Sequence, residues 1–231
     1  MSELDSALVA ERVARVHERV ERAGGRGSRV TVVAVTKGFG PEAVSAAAAA
    51  GIADIGENYA QEMLSKLPLA PPGLRWHFLG ELQRNKLARL APHVHLWHGL
   101  DREAEAVALA RLSQGAAVLV EVKAEGWQRR PGAMPAQVPG LVSSALAAGL
   151  SVRGLMTVGP AGVPPVEVAR HFRAVASLAS SLGLAELSMG MSADFELAVA
   201  EGATMIRVGQ ALFGPRPRAG LGPPPREGAR D

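Results

Sequence analysis

Lys37 closes the run Val30-Thr31-Val32-Val33-Ala34-Val35-Thr36-Lys37, apolar and β-branched residues that end in a single amine. Such a run reads as a buried parallel strand. Side chains alternate along a strand, so Lys37 shares its face with Val35, Val33 and Thr31. Gly38, Phe39, Gly40 and Pro41 then break the strand. A lysine at the tip of a core strand sits where α/β proteins place chemistry. Burial disfavours the ammonium form and lowers the pKa. A neutral amine at that spot can form a Schiff base with an aldehyde. The alternative is a lysine that snorkels out of the strand end to water.

Seven other polar residues fall at or just after apolar runs: Glu57, Asn58, His77, Thr157, Ser188, Ser192 and Arg207. Glu57 reads as a base, or as a carboxylate that sets the ionisation of Lys37. His77 follows Trp76 in a strand and reads as a hydrogen-bonded core histidine. The segments Ser188-Met189-Gly190-Met191-Ser192 and Arg207-Val208-Gly209-Gln210-Ala211 each lead into a helical start, where free N–H groups favour an anion such as phosphate. Ser192 reads equally as an N-cap, and a capping hydroxyl can also donate to phosphate. Arg207, taken alone, reads as half of a structural ion pair. Asp194 and Glu196 read as complements to a helix dipole. His93, His95 and His98 are spaced like a metal cluster, but no Cys or acid lies near them, and a partly exposed surface is the preferred reading. Tyr59 is the only tyrosine, and Leu82-Gln83-Arg84-Asn85-Lys86 reads as a solvated basic helix face.

The elements that must position these residues alternate. An amphipathic helix spans about Leu4 to Ala23, with Leu8, Val9, Val13, Val16 and Val20 at helical spacing. The strand ending at Lys37 comes next, then a helix from Pro41 to Gly51. Further strands are predicted at Ala53–Asn58, Leu74–Leu79, Val94–Trp97 (the weakest), Ala116–Val122, Ser151–Val158, Glu186–Met189 and Thr204–Val208. Helices are predicted at Ala60–Leu67, Gln83–Ala91, Asp101 (as cap) to Leu112, Pro135–Ala148, Pro164–Leu182 and Ser192–Glu201, with a last turn at Gly209–Phe213. Alternation of β and α implies a parallel sheet. Eight such units in this length suit a single-domain (β/α)8 barrel with an extra N-terminal helix. The barrel is expected over residues 1–214. The Pro-, Gly- and Arg-rich residues 215–231 read as a disordered tail.

Composition narrows the possibilities. The 231 residues are 48% hydrophobic but only 4% aromatic, so a sizeable core must be built from Ala, Val and Leu. The chain has no cysteine, which removes disulfides, thiolate metal sites and thiol nucleophiles and suits a cytoplasmic home. No apolar run reaches the ~18 residues of a membrane span, and the polar start is unlike a signal peptide. The net charge of +3 is spread without an aromatic-interleaved stripe, so a small anion fits it better than nucleic acid.

The motifs now converge on a family. Ala34-Val35-Thr36-Lys37, Gly56-Glu57-Asn58-Tyr59-Ala60-Gln61-Glu62 and Trp76-His77-Phe78-Leu79-Gly80-Glu81-Leu82-Gln83-Arg84-Asn85-Lys86 come first. Gly154-Leu155-Met156 and the long Leu187-Ser188-Met189-Gly190-Met191-Ser192-Ala193-Asp194-Phe195-Glu196 follow, then Arg207-Val208-Gly209 and Leu212-Phe213-Gly214. In this order they resemble the pyridoxal phosphate homeostasis proteins, relatives of the barrel domain of alanine racemase. The resemblance implies that Lys37 is the Schiff-base lysine for pyridoxal 5′-phosphate. It implies that Ser192 and the Gly209 and Gln210 amides hold the phosphate, that Arg207 faces the pyridine nitrogen, and that Asn58 lies beside the ring. Gln210 stands where Thr or Ser is expected, Glu81 replaces a residue that is often Pro or basic, and the Lys123–Met134 loop lacks the usual Lys-x-Gly ending. An arginine at the ring nitrogen leaves the ring a poor electron sink, so a monomeric binding protein with little or no turnover is expected, one that hands cofactor to apo-enzymes. The competing reading is a weak pyridoxal-dependent racemase.

Overall fold

The computed structural model describes residues 4–24, 30–124 and 130–216. Eight strands are parallel and close into a barrel in sequence order, β1 (Thr31–Val35), β2 (Asp54–Glu57), β3 (Arg75–Phe78), β4 (Val94–Leu100), β5 (Ala117–Val122), β6 (Ser151–Thr157), β7 (Glu186–Ser188) and β8 (Met205–Val208). β8 returns to β1 with Val33 opposite Arg207 and Ala34 opposite Val208. The (β/α)8 architecture expected from the alternation is the one found.

Strand alternation divides the side chains between two environments. One set, Val33, Leu96, Leu119, Met156 and Met205, packs together as a small cluster inside the barrel. Their neighbours in sequence, among them Val32, Ala34, Trp97, Val118, Val120 and Ile206, face the other way into the large core beneath the helices. Those helices are α2 (Pro41–Ala49), α3 (Ala60–Lys66), α4 (Arg84–Leu90), α5 (Glu103–Leu112), α6 (Val138–Ala147), α7 (Pro165–Ser181), α8 (Phe195–Ala200) and the short α9 (Gln210–Phe213).

The extra N-terminal helix, α1 (Ser6–Arg22), straps the seam where β8 meets β1. Asp5 caps it, its carboxylate accepting from the Ala7 and Leu8 amides at 2.9 and 3.3 Å. Val9, Val13, Val16 and Val20 are buried on one face, and the helix lies against α2, α8 and α9. Arg12 donates to the Leu212 carbonyl at 3.2 Å, and Arg19 forks onto Glu196 at 3.0 and 2.8 Å. Glu196 is therefore partnered across the fold as well as placed in the first turn of α8.

Several expectations need correction. β4 is a seven-residue strand rather than the weakest, and it carries His98 fully buried. Arg102, not Asp101, caps α5, because the Asp101 carboxylate is taken by the Gly132 amide at 2.9 Å. α8 starts at Phe195, with Asp194 at its cap position, so Ser192 does not cap it. The Pro135 segment opens as a 3-10 turn (Pro135–Gln137) before α6. Of the expected tail, Pro215 and Arg216 are among the described residues, and 217–231 lie outside them, as do residues 125–129 of the Lys123–Met134 loop.

If α1 is a strap, cutting back its buried face weakens the whole fold. Val16→Ala is expected to lower the unfolding free energy by about 2 kcal/mol, read from urea denaturation. An unchanged midpoint would mean that α1 folds apart from the barrel.

Candidate functional site

The C-terminal ends of the strands surround one cavity of about 740 Å³. Lys37, Asn58, Ser192, Arg207, Gly209 and Gln210 all line it. The six residues singled out from the sequence are thus brought together, although they come from four different strand ends. The alternation explains the sorting. Val33, Val35 and Lys37 follow one face of β1 and its extension, while Thr36 faces the opposite way. Asn58 likewise lies on the inner side of the β2 line, and Glu57 on the outer.

Glu57 therefore does not enter the cavity. It sits between β1, β2 and α3, accepting from Lys66 Nζ at 2.5 Å and from the Thr36 hydroxyl at 2.6 Å. Lys66 also donates to the Thr36 carbonyl at 2.8 Å, and both charged groups are buried, at 3% and 0% exposure. Burial pushes the Glu57 carboxyl up, against the pull of Lys66. Glu62 completes the cluster, 3.7 Å from Lys66 Nζ and accepting the Gly38 amide at 2.8 Å. This knot fixes the backbone on both sides of Lys37. Lys66 was missed in the sequence analysis.

The Lys37 amine is held below its usual range by burial first, then by the positive charges of Arg216 and Arg207. Arg216 lines the cavity, and its Cδ lies 3.1 Å from where a Cβ on Gly38 would stand. The sequence had assigned it to the tail. Arg207 is buried and makes no ion pair among the described residues, contrary to the simple reading of a buried arginine. Its Nη1 donates to the Ser188 carbonyl and hydroxyl at 2.7 and 2.8 Å, and its Nη2 to the Thr157 carbonyl at 2.9 Å. Burial lowers its pKa to about 10, with Glu121 opposing.

The two glycine-containing loops meet as anticipated. The Ser192 hydroxyl accepts from the Ala211 amide at 3.1 Å, in the first turn of α9. Gly209 must lack a side chain, because a Cβ there would stand 2.8 Å from the Val35 carbonyl oxygen. The loop after β8 can thus press against the end of β1. Asn58 Oδ1 is buried without a hydrogen-bond partner among the described residues.

Glu121 was also overlooked. It follows Leu119 by two residues and so points inward, where it lines the cavity. A carboxylate inside the run Ala-Val-Leu-Val-Glu-Val was the available signal. Burial and the nearby Asp101 charge push its pKa up to about 7. Tyr59 stands at the mouth, 49% exposed, and Gln83 and Lys86 of the basic segment also reach the cavity. The histidines divide. His98 is buried and bonded to His77 at 2.9 Å, His95 packs its ring edge on His77, and no group of metal-ligating residues forms among the described residues.

A lysine amine, a buried guanidinium, a hydroxyl beside the glycine loop and an amide oxygen unpartnered among the described residues line one cavity. Such a set can take up a carbonyl compound that also carries an anionic group.

The family model for the N-terminal domain of alanine racemase matches residues 5–217. A pyridoxal phosphate homeostasis protein of Deinococcus radiodurans is 39% identical over 206 residues, covering 87% of this chain and 97% of the relative. One from Pseudomonas aeruginosa is 38% identical over 219 residues, covering 90% and 94%. Among solved structures, PipY of Synechococcus elongatus with PLP bound superposes with a TM-score of 0.79 at 33% identity, covering 89% of this chain and 100% of that one. The same protein without PLP gives 0.81 at 34% identity over the same shares. A lysine decarboxylase of Selenomonas ruminantium, at 18% identity and TM-score 0.66, shares the fold.

Glu121 gives the ligand-free protein a measurable signature. Its carboxyl keeps a proton to about pH 7 when folded, against an ordinary value of 4.5. The folded state then binds more protons than the unfolded state between these limits, so stability falls as pH rises through that window. Glu121→Gln is expected to remove this share of the fall, roughly 3 kcal/mol at most. Urea melts from pH 4.5 to 7.5 check it, and parallel curves for both proteins would show that Glu121 titrates normally.

Proposed function

The chain belongs to the pyridoxal phosphate homeostasis protein family, and from that premise we propose that it binds pyridoxal 5′-phosphate in the cavity at the barrel mouth and takes part in the intracellular handling of that cofactor. The observation that carries this reading is the convergence of Lys37, Arg207 and the Gly209-Gln210 loop on one cavity. The cofactor supplies an aldehyde and a ring nitrogen when bound. Lys37 is the amine that condenses with the aldehyde, releasing one water as a Schiff base forms. Its lowered pKa keeps more of it in the nucleophilic neutral form. Ser192 and the Gly209 and Gln210 amides hold the phosphate, and Asn58 lies beside the ring. The missing Thr or Ser hydroxyl at Gln210 leaves that position a backbone contact only.

Arg207 faces the ring nitrogen and can only donate to it. Enzymes that use the ring as an electron sink keep that nitrogen protonated with an acid. Arg207 gives no such help, so the protein holds and releases cofactor without turnover. It acts as a monomer in the cytoplasm, through a barrel domain of residues 1–214, and passes cofactor to apo-enzymes. No described helix is long and apolar enough to cross a membrane. One observation favours a second reading, weak racemase-type activity: Glu121 offers a protonatable carboxyl in the same cavity as Lys37.

Two measurements test these readings. Purified protein with pyridoxal phosphate is expected to show an imine absorption band that borohydride fixes covalently at Lys37 and that Lys37→Ala lacks. No band, or the same band in the variant, would return the site to a generic phosphate-binding barrel. Amino acids incubated with the loaded protein in heavy water are expected to keep their α-proton. Exchange that depends on Glu121 would establish the racemase reading instead.

A further inference from the structure

A column of hydrogen bonds crosses the barrel interior beneath the cavity. Arg207 Nη1 donates to the Ser188 hydroxyl at 2.8 Å. The Ser188 hydroxyl is 3.0 Å from His98 Nδ1, His98 Nε2 is 2.9 Å from His77 Nδ1, and His77 Nε2 is 2.9 Å from Asp54 Oδ1. Asp54 in turn takes a forked bond from Arg75 at 2.7 and 2.5 Å, and Arg75 is half-exposed at the opposite end of the barrel. Ser188, His98, His77 and Asp54 are all buried, and none of them lines the cavity.

The two ends fix the outermost bonds of the column. A guanidinium can only donate, and a carboxylate can only accept. Burial alone would push Asp54 up, but the bonds from His77 and Arg75 hold its carboxyl down at about 2, so it is ionised. His77 therefore donates from Nε2, and in the column its Nδ1 is the acceptor. His98 must then donate from Nε2 and accept at Nδ1, and the Ser188 hydroxyl must give its proton to His98. Its lone pairs are left facing Arg207. Burial first, and the Arg207 charge with it, holds the His98 ring well below its usual range, which agrees with a neutral ring.

We infer that Asp54, His77, His98 and Ser188 are positioning residues, a polarised column anchored at the far end of the barrel that orients the Arg207 guanidinium toward the ring nitrogen of the bound cofactor. This rests on the cofactor reading above. The column is a fixed row of dipoles with acceptors turned to the cation. It replaces the ion-pair partner that Arg207 lacks, and so orients the guanidinium without neutralising it.

The test begins with the ligand-free protein. ¹⁵N-histidine NMR is expected to find both His77 and His98 as neutral rings protonated at Nε2. Protonation at Nδ1 in either ring overturns the column, whatever the cofactor does. Ser188→Ala and Asp54→Asn are then compared with wild type for pyridoxal phosphate affinity and for the spectrum of the bound form. Ser188→Ala is expected to raise Kd about tenfold and Asp54→Asn about threefold, both with a displaced absorption band, while borohydride still fixes the cofactor at Lys37. Weakening in Ser188→Ala alone reduces the effect to one contact and overturns the column, as does an unchanged spectrum in both folded variants. If wild-type protein forms no borohydride-fixed product at Lys37, the cofactor reading fails, and the NMR result still decides the column.

Discussion

Eight strands closed into a ring leave little room for bulk water beneath the cavity, and a polar side chain buried there needs hydrogen-bond partners. This chain meets the requirement in two ways side by side. Val33, Leu96, Leu119, Met156 and Met205 fill part of the space. Asp54, His77, His98, Ser188 and Arg207 fill another part as a continuous chain of bonds with a charge at each end. A buried arginine without an ion pair would be costly if its donors had no acceptors. Two carbonyls and a hydroxyl supply them here.

The same alternation keeps two polar systems apart although they share strands. Glu57, Thr36 and Lys66 face outward and bind β1, β2 and α3 together. Asn58 and Lys37, each one residue further on, belong to the cavity. A carboxylate paired with Lys66 does little for Lys37, whose ionisation is set chiefly by burial and by Arg216 and Arg207. Rigidity on the outer face and reactivity on the inner face are thus obtained from neighbouring residues.

Much of this was legible along the chain. Strand and helix order followed from runs of β-branched residues, Gly and Pro punctuation and helical spacing, which are local properties. The cavity residues followed because strand ends of this fold share one face of the barrel, so naming the ends names the site. The failures have a common cause. Lys66 and His98 look exposed in sequence because lysine and histidine usually are, and their burial depends on partners 9 and 21 residues or more away. Asp101 looked like a cap until the Gly132 amide, 31 residues on, claimed its carboxylate. Arg216 looked like tail because no apolar period surrounds it, yet it reaches Gly38.

The sequence by itself determined the alternation of elements, the lysine that ends the first strand, and the two glycine loops that must approach it. These depend on side-chain volume, β-branching and backbone freedom, which each residue carries with it. Only the tertiary structure decided which polar groups face inward together, which of them are charged, and which hydroxyl meets which helix. Burial and partner distance set those properties, and both exist only once β8 has closed against β1.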